Sequence, residues 1–203
     1  SCFWKDKYGN NIEPFGQVTV NDVKNGALSP IKEAWKEWAI HYVEQLQANN
    51  RYQLTIWPDH CIIGTPGHCL QQDLLKAVSD WEISRNAIAP RIMKGSNPLT
   101  EHYSAIKADC PRQDDPATQE NKSLIDLPKN FDHILVAGEA LSHCVANTVL
   151  DMLEKLGPDE AGKIVLLEDG CSNVAGFDAL GNAFIKKAVS KGVKISTTDK
   201  FFG

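Results

Sequence analysis

The sequence predicts an α/β fold: three layers, a doubly wound and mostly parallel sheet, helices on both faces. Three observations predict it. Short continuous apolar runs at residues 134–137 and 164–167 are closed by a glycine or an acidic residue, as in strands buried on both faces of a parallel sheet. Stretches with helical apolar spacing alternate with them, the pattern of a doubly wound domain. The chain has 203 residues, 42% of them hydrophobic, enough for one domain with a real core.

In chain order, residues 1–30 hold few periodic apolar positions and several turn residues, among them Gly9, Pro14, Gly16, Asn25 and Gly26. They read as loop with one short strand at 17–20. Ser29 and Pro30 fit the N-cap and first position of a helix. Ile31, Ala34, Trp35, Trp38, Ala39, Tyr42, Val43 and Leu46 then form one apolar stripe, which predicts an amphipathic helix to about Asn49. A strand is expected at 52–57, a loop at 58–66, a helix at 69–81 and a strand end at 91–93. Residues 107–120 are polar and Pro-rich, hence an exposed loop. Strands at 134–137, 163–168 and 193–197 alternate with helices at 143–156 and 178–191. No repeat, low-complexity tract or linker interrupts the chain, so a single domain over 1–203 is expected.

The formal net charge is -5. Scattered Lys and Arg on a mildly acidic chain argue against nucleic acid or anionic membrane as partner and leave a small-molecule substrate. No apolar run approaches the roughly 20 residues of a membrane span. No basic-then-apolar leader opens the sequence, although Ser1 is no natural start and the true N-terminus is expected elsewhere. The six cysteines, Cys2, Cys61, Cys69, Cys110, Cys144 and Cys171, are irregularly spaced without a Cys-x-x-Cys pair. They read as reduced thiols of a cytoplasmic protein.

Reactive residues are sought where strands end and loops meet. The strongest feature runs from Ile134 through Gly138, Glu139, Ala140, Leu141, Ser142 and His143 to Cys144 and Val145. A buried strand ends at Gly138, small residues turn, and Cys144 opens a helix. Backbone N–H groups and the helix dipole there favour a thiolate and could hold a developing oxyanion; a buried structural cysteine is the competing reading. Lys94, in Ile92-Met93-Lys94-Gly95, falls where a strand meets a loop and could support a nucleophile; a solvated Lys is the plainer reading. Trp57, Asp59 and His60 pair an aromatic with metal-ligand types, but one His and one Asp do not make a metal site.

Together these segments resemble the isochorismatase-like superfamily, which includes the nicotinamidases. The resemblance rests on Trp57, Pro58, His60, Cys61, Gly64, Thr65 and Gly67, on Lys94 and Gly95 with Tyr103, Ser104 and Ala105, and on Gly138, Ala140, Cys144 and Val145. Glu168, Asp169, Gly170 and Cys171 look like the strand end that follows the nucleophile helix. The match runs from about residue 52 to the C-terminus and is similar to a larger subgroup of cysteine hydrolases with a Rossmann-like fold.

The resemblance implies that Cys144 attacks an amide and forms a thioester, with Lys94 in the triad. The N–H groups of Ala140 and Cys144 would form the oxyanion hole, and the Glu139–Ala140 peptide would be cis. Trp57 would line the pocket, and His60 would bind a divalent metal, zinc or similar, with ligands not on this chain. No organic cofactor is implied. The family's third triad member, an Asp in an Asp-x-Gln-Asn-Asp-Phe-like string on its first strand, has no counterpart in this sequence, and neither has the Asp-x-His metal pair. Asp22 follows a loop rather than a buried strand and is not expected to replace that Asp. Adjacent helix residues do not face each other, so His143 is not expected to serve as base. The chain is therefore expected to be one domain lacking its first strands, completed by an N-terminal segment or a partner chain, and a homo-oligomer. A hydrolase of small amide-type carbon–nitrogen bonds is the expected function. A non-catalytic binding or scaffold protein on the same fold is the alternative.

Overall fold

The computed structural model describes residues 3–49 and 52–203; Cys2 lies outside them. The chain divides into two compact units, Ser1–Ile92 and Met93–Gly203.

The first unit begins with β1 (Trp4–Asp6), β2 (Gln17–Val18), α1 (Val20–Lys24) and β3 (Leu28–Pro30). A short 3₁₀ turn at Glu33–Trp35 leads into α2 (Lys36–Ala48). After β4 (Leu54–Thr55), a 3₁₀ turn at Pro66–His68 precedes α3 (Gln72–Arg85). Two antiparallel pairs form, β1 with β3 and β2 with β4. The core is Trp4, Val18, Val23, Ala39, Tyr42, Val43, Leu46, Leu54 and Ile56, all buried.

Several expectations for this unit are corrected. Ser29 and Pro30 do not start a helix; they lie in β3, where Pro30 pairs with Trp4. The fixed φ of proline suits an edge strand as well as a first helical turn. The stripe does bury Ala39, Tyr42, Val43 and Leu46, but the helix carrying it starts at Lys36. Residues 1–30 hold three strands and α1, not one strand in loop, and Val20 begins the helix. That helix is closed by a capping box: Asp22 N donates to Thr19 Oγ1 at 3.0 Å, and Thr19 N donates to Asp22 Oδ2 at 3.0 Å. Asp22 is thus a capping residue. The expected helix at 69–81 starts at Gln72, where the Gln71 side chain accepts from the N–H groups of Asp73 and Leu74. It runs on to Arg85, and Asn86 ends it in the left-handed region. Residues 91–93 form no strand.

The second unit is built from α4 (Lys122–Asp126), β5 (Ile134–Glu139), a π-helical turn at Leu141–Val145, α5 (Ala146–Leu156) and α6 (Pro158–Ala161). Then follow β6 (Ile164–Ser172), α7 (Asp178–Ser190), β7 (Lys194–Ser196) and α8 (Thr198–Phe202). Strands and helices alternate, and the three strands form a parallel sheet in the order β5-β6-β7. The expected α/β class with a parallel sheet is therefore observed.

Ile164 and Leu166 of β6, fully buried, lie at the centre of the core. Val149, Met152 and Leu153 of α5 and Phe184 and Ala188 of α7 pack in the same cluster. β5 differs from expectation. It alternates half-buried and exposed residues instead of being buried on both faces, and Leu135 is 37% exposed. An unbroken apolar run cannot reveal this, because period-two burial shows only when polar residues mark the open face.

No described helix is long and apolar enough to cross a membrane.

Candidate active site

The second unit's site is assembled where β5 ends. Val136 pairs with Leu166 but Gly138 with Cys171. Two steps along β5 thus match five along β6, and the bulge in β6 lies beside the end of β5. Gly138 has φ +133°, a conformation L side chains rarely adopt, so a glycine is needed to turn the chain out of the sheet. Glu139 Oε1 accepts from Ser172 Oγ at 2.6 Å, and the Glu139–Ala140 peptide is cis.

The chain then winds one π-helical turn before α5. The Ala140 carbonyl accepts from both His143 N at 3.0 Å and Val145 N at 3.1 Å. Cys144, half-buried, sits inside this turn rather than at the start of an α-helix. Such single wide turns occur often at functional sites. Ser142 Oγ accepts from Val174 N at 3.1 Å, tying the turn to the segment before α7. His143 is buried, its Nδ1 2.9 Å from Ser142 Oγ and its ring edge-on to Phe177 with centroids 5.0 Å apart. Burial lowers its pKa, which favours a neutral ring.

Lys94 meets Cys144 across fifty residues of sequence. Its Nζ donates to Cys144 Sγ at 3.2 Å and to the His102 carbonyl at 2.9 Å. An ammonium there can offset negative charge developing on sulfur. Lys94 reaches this place from a loop, not from the expected strand end.

Sequence reasoning assigned no role to the residues behind Lys94. Burial and the neighbouring Asp109 carboxylate push Glu101 up to about 7, against the pull of Lys94. Burial, then Lys94, brings His102 down to about 4, slightly opposed by Asp115. In the sequence they stand directly before Tyr103, Ser104 and Ala105, with no signal of their own.

Glu101 has a consequence for stability. Its folded value lies above its ordinary 4.5, so between those two pH values the unfolded chain releases the proton first. Its contribution is fully present below pH 4.5 and is lost as pH rises through 7. Urea unfolding across that window is expected to show Glu101→Gln gaining stability relative to the parent protein as pH rises. A difference independent of pH would contradict the assignment.

The structure brings Lys94, Ala140 and Cys144 together in one unit. Trp57 and His60 lie in the first unit. Trp57 is half-buried, edge-on to Phe15 at 5.9 Å. His60 is exposed, and its Nδ1 donates to the Pro58 carbonyl at 2.7 Å, which leaves Nε2 as the lone-pair nitrogen of the neutral ring. A backbone carbonyl commonly orients a metal-binding histidine in this way. Among the described residues, however, no three His, Cys, Asp or Glu side chains group as a metal site. The described residues do not by themselves hold a metal.

No family model matches the chain. It is similar to the nicotinamidase of Escherichia coli (strain K12), 34% identical over 122 residues, 59% of this chain and 47% of that protein. The chain thus spans about half the length of the curated relative it matches. Among solved structures it is similar to the yeast nicotinamidase bound to the inhibitor nicotinaldehyde, with a TM-score of 0.58 and 17% identity, covering 96% of this chain and 73% of that one. A nicotinamidase/pyrazinamidase of Acinetobacter baumanii gives a TM-score of 0.52 at 16% identity, covering 97% and 72%. At these identities the structural likeness is one of fold. The chain is thus similar in sequence, over part of its length, to a nicotinamidase, and similar in fold to solved nicotinamidase structures.

Proposed function

We propose that the protein is a cysteine hydrolase that cleaves the carbon–nitrogen bond of a small amide, nicotinamide being the first candidate, through a thioester on Cys144. The observation that carries this reading is the 3.2 Å contact between Lys94 Nζ and Cys144 Sγ at the end of a parallel strand. The similarity to a nicotinamidase over 122 residues supports the substrate class.

In the proposed sequence the Cys144 thiolate adds to the amide carbonyl carbon. Backbone N–H groups of Ala140 and Cys144 hold the resulting oxyanion. The carbon–nitrogen bond breaks, and the nitrogen leaves as ammonia after taking a proton. Water then cleaves the thioester, releasing the acid and restoring the thiol. Trp57 is proposed as a pocket wall. A divalent ion at His60 is proposed only with ligands from outside this chain, and no step is routed through it.

β5 is the edge strand of its three-stranded sheet and its Leu135 is 37% exposed, a place where a further strand could pair. We propose that such a strand, from an N-terminal segment or a partner copy, completes the domain and brings the carboxylate base. A second reading is a binding protein on this fold.

Incubation with nicotinamide distinguishes the two. Ammonia and carboxylic acid released in equal amounts are expected of the hydrolase. Saturable nicotinamide binding without either product would favour the binding protein.

A further inference from the structure

We infer that His102 is a positioning residue, whose Nδ1 and backbone carbonyl together hold the Lys94–Gly95 pair so that Nζ meets Cys144. The inference rests on the reading of Lys94 and Cys144 given above.

Two hydrogen bonds run from consecutive residues to this one histidine. Lys94 Nζ donates to its carbonyl at 2.9 Å, and Gly95 N donates to its Nδ1 at 3.3 Å. Gly95 has φ +74°, so the chain turns sharply just past Lys94. The bond at Gly95 fixes that turn, and with it the direction in which the Lys94 side chain leaves.

The residues that flank His102 are held from other directions. Asp109 N donates to the Glu101 carbonyl at 2.9 Å, and Asp109 Oδ2 accepts from Tyr103 N at 3.0 Å. Ala105 N donates to Thr148 Oγ1 at 3.0 Å, which ties the segment to α5, the helix that continues from Cys144. Residues 101–105 thus form a bracket with the Lys94–Gly95 turn on one side and the nucleophile's helix on the other.

The ring's protonation follows from the same geometry. Nδ1 can accept from Gly95 only with its lone pair free, so the proton of the neutral ring is on Nε2. Burial and the Lys94 charge keep the ring neutral above about pH 4. Nε2 is buried and has no hydrogen-bond partner among the described residues. The side of the ring that makes a bond is therefore Nδ1, the one that faces Gly95.

This asymmetry supplies the test. Asparagine places its carbonyl oxygen near the position of Nδ1, and glutamine places its own near Nε2. His102→Asn is expected to keep the Gly95 bond and His102→Gln to lose it, although both are polar and similar in size. The full chain and both variants are alkylated with iodoacetamide at neutral pH, and the rate at Cys144 is followed by peptide mass. His102→Gln is expected to slow alkylation about three- to tenfold, the scale of one hydrogen bond, and His102→Asn to restore it to within about twofold. Thermal unfolding of each variant shows that folded proteins are being compared. Equal rates for the two variants, or a faster rate for His102→Gln, would overturn the inference. Parent protein in which Cys144 has no preferential reactivity would overturn the function proposal and this inference together. Preferential reactivity that His102→Gln leaves unchanged would overturn this inference alone.

Discussion

Cys144→Ala is expected to lower amide turnover by on the order of 10⁴-fold or more, with the unfolding midpoint nearly unchanged. The sulfur is the only atom in the proposed mechanism that bonds to substrate, so nothing downstream proceeds without it. The fold has little reason to notice the change. Cys144 is half-buried, whereas Leu141, Ser142 and His143 carry the buried packing of the π-helical turn. The measurement is kcat for ammonia release, with thermal unfolding alongside. Turnover retained within tenfold would remove Cys144 from the mechanism.

Lys94→Met is expected to cost about 10²–10³-fold in kcat/KM, the scale for removing one preorganised charge or donor at a reacting centre. Methionine keeps much of the apolar stem and removes the ammonium. The loss is expected in the chemical step, because Nζ points at the sulfur and at the His102 carbonyl rather than serving only as a surface charge. A binding contact alone would raise KM and leave kcat in place. Kinetics at saturating and limiting substrate separate these outcomes.

The strand, turn and helix that carry Cys144 were legible in the sequence because three local signals agree there. An apolar run, a glycine and an amphipathic stretch follow one another without a gap. The π-helical form of the turn was not legible. It depends on the Ala140 carbonyl accepting from both His143 and Val145, and no residue type marks that choice. The Lys94–Cys144 meeting was legible only through the resemblance, since the expected strand at 91–93 is absent and a loop delivers the lysine.

Ser29-Pro30 shows why the first unit was read less well. The same dipeptide suits a helix start and an edge strand, and only the pairing of Trp4 with Pro30 decides between them. Glu101 and His102 remained unassigned because their behaviour comes from burial and from Asp109, Lys94 and Gly95, tertiary neighbours that spacing does not reveal.

The central claim is that the site makes Cys144 unusually reactive, and competitive alkylation of all the cysteines tests it most directly. Exposure alone ranks Cys61 and Cys69 first, since both are exposed while Cys144 is half-buried. Burial raises the pKa of Cys110 and Cys171 and holds them as neutral thiols. With iodoacetamide at neutral pH, peptide mapping is predicted to show Cys144 modified well ahead of Cys61 and Cys69, despite its lower exposure. Labelling that follows exposure, with Cys144 behind Cys61 and Cys69, would contradict the account.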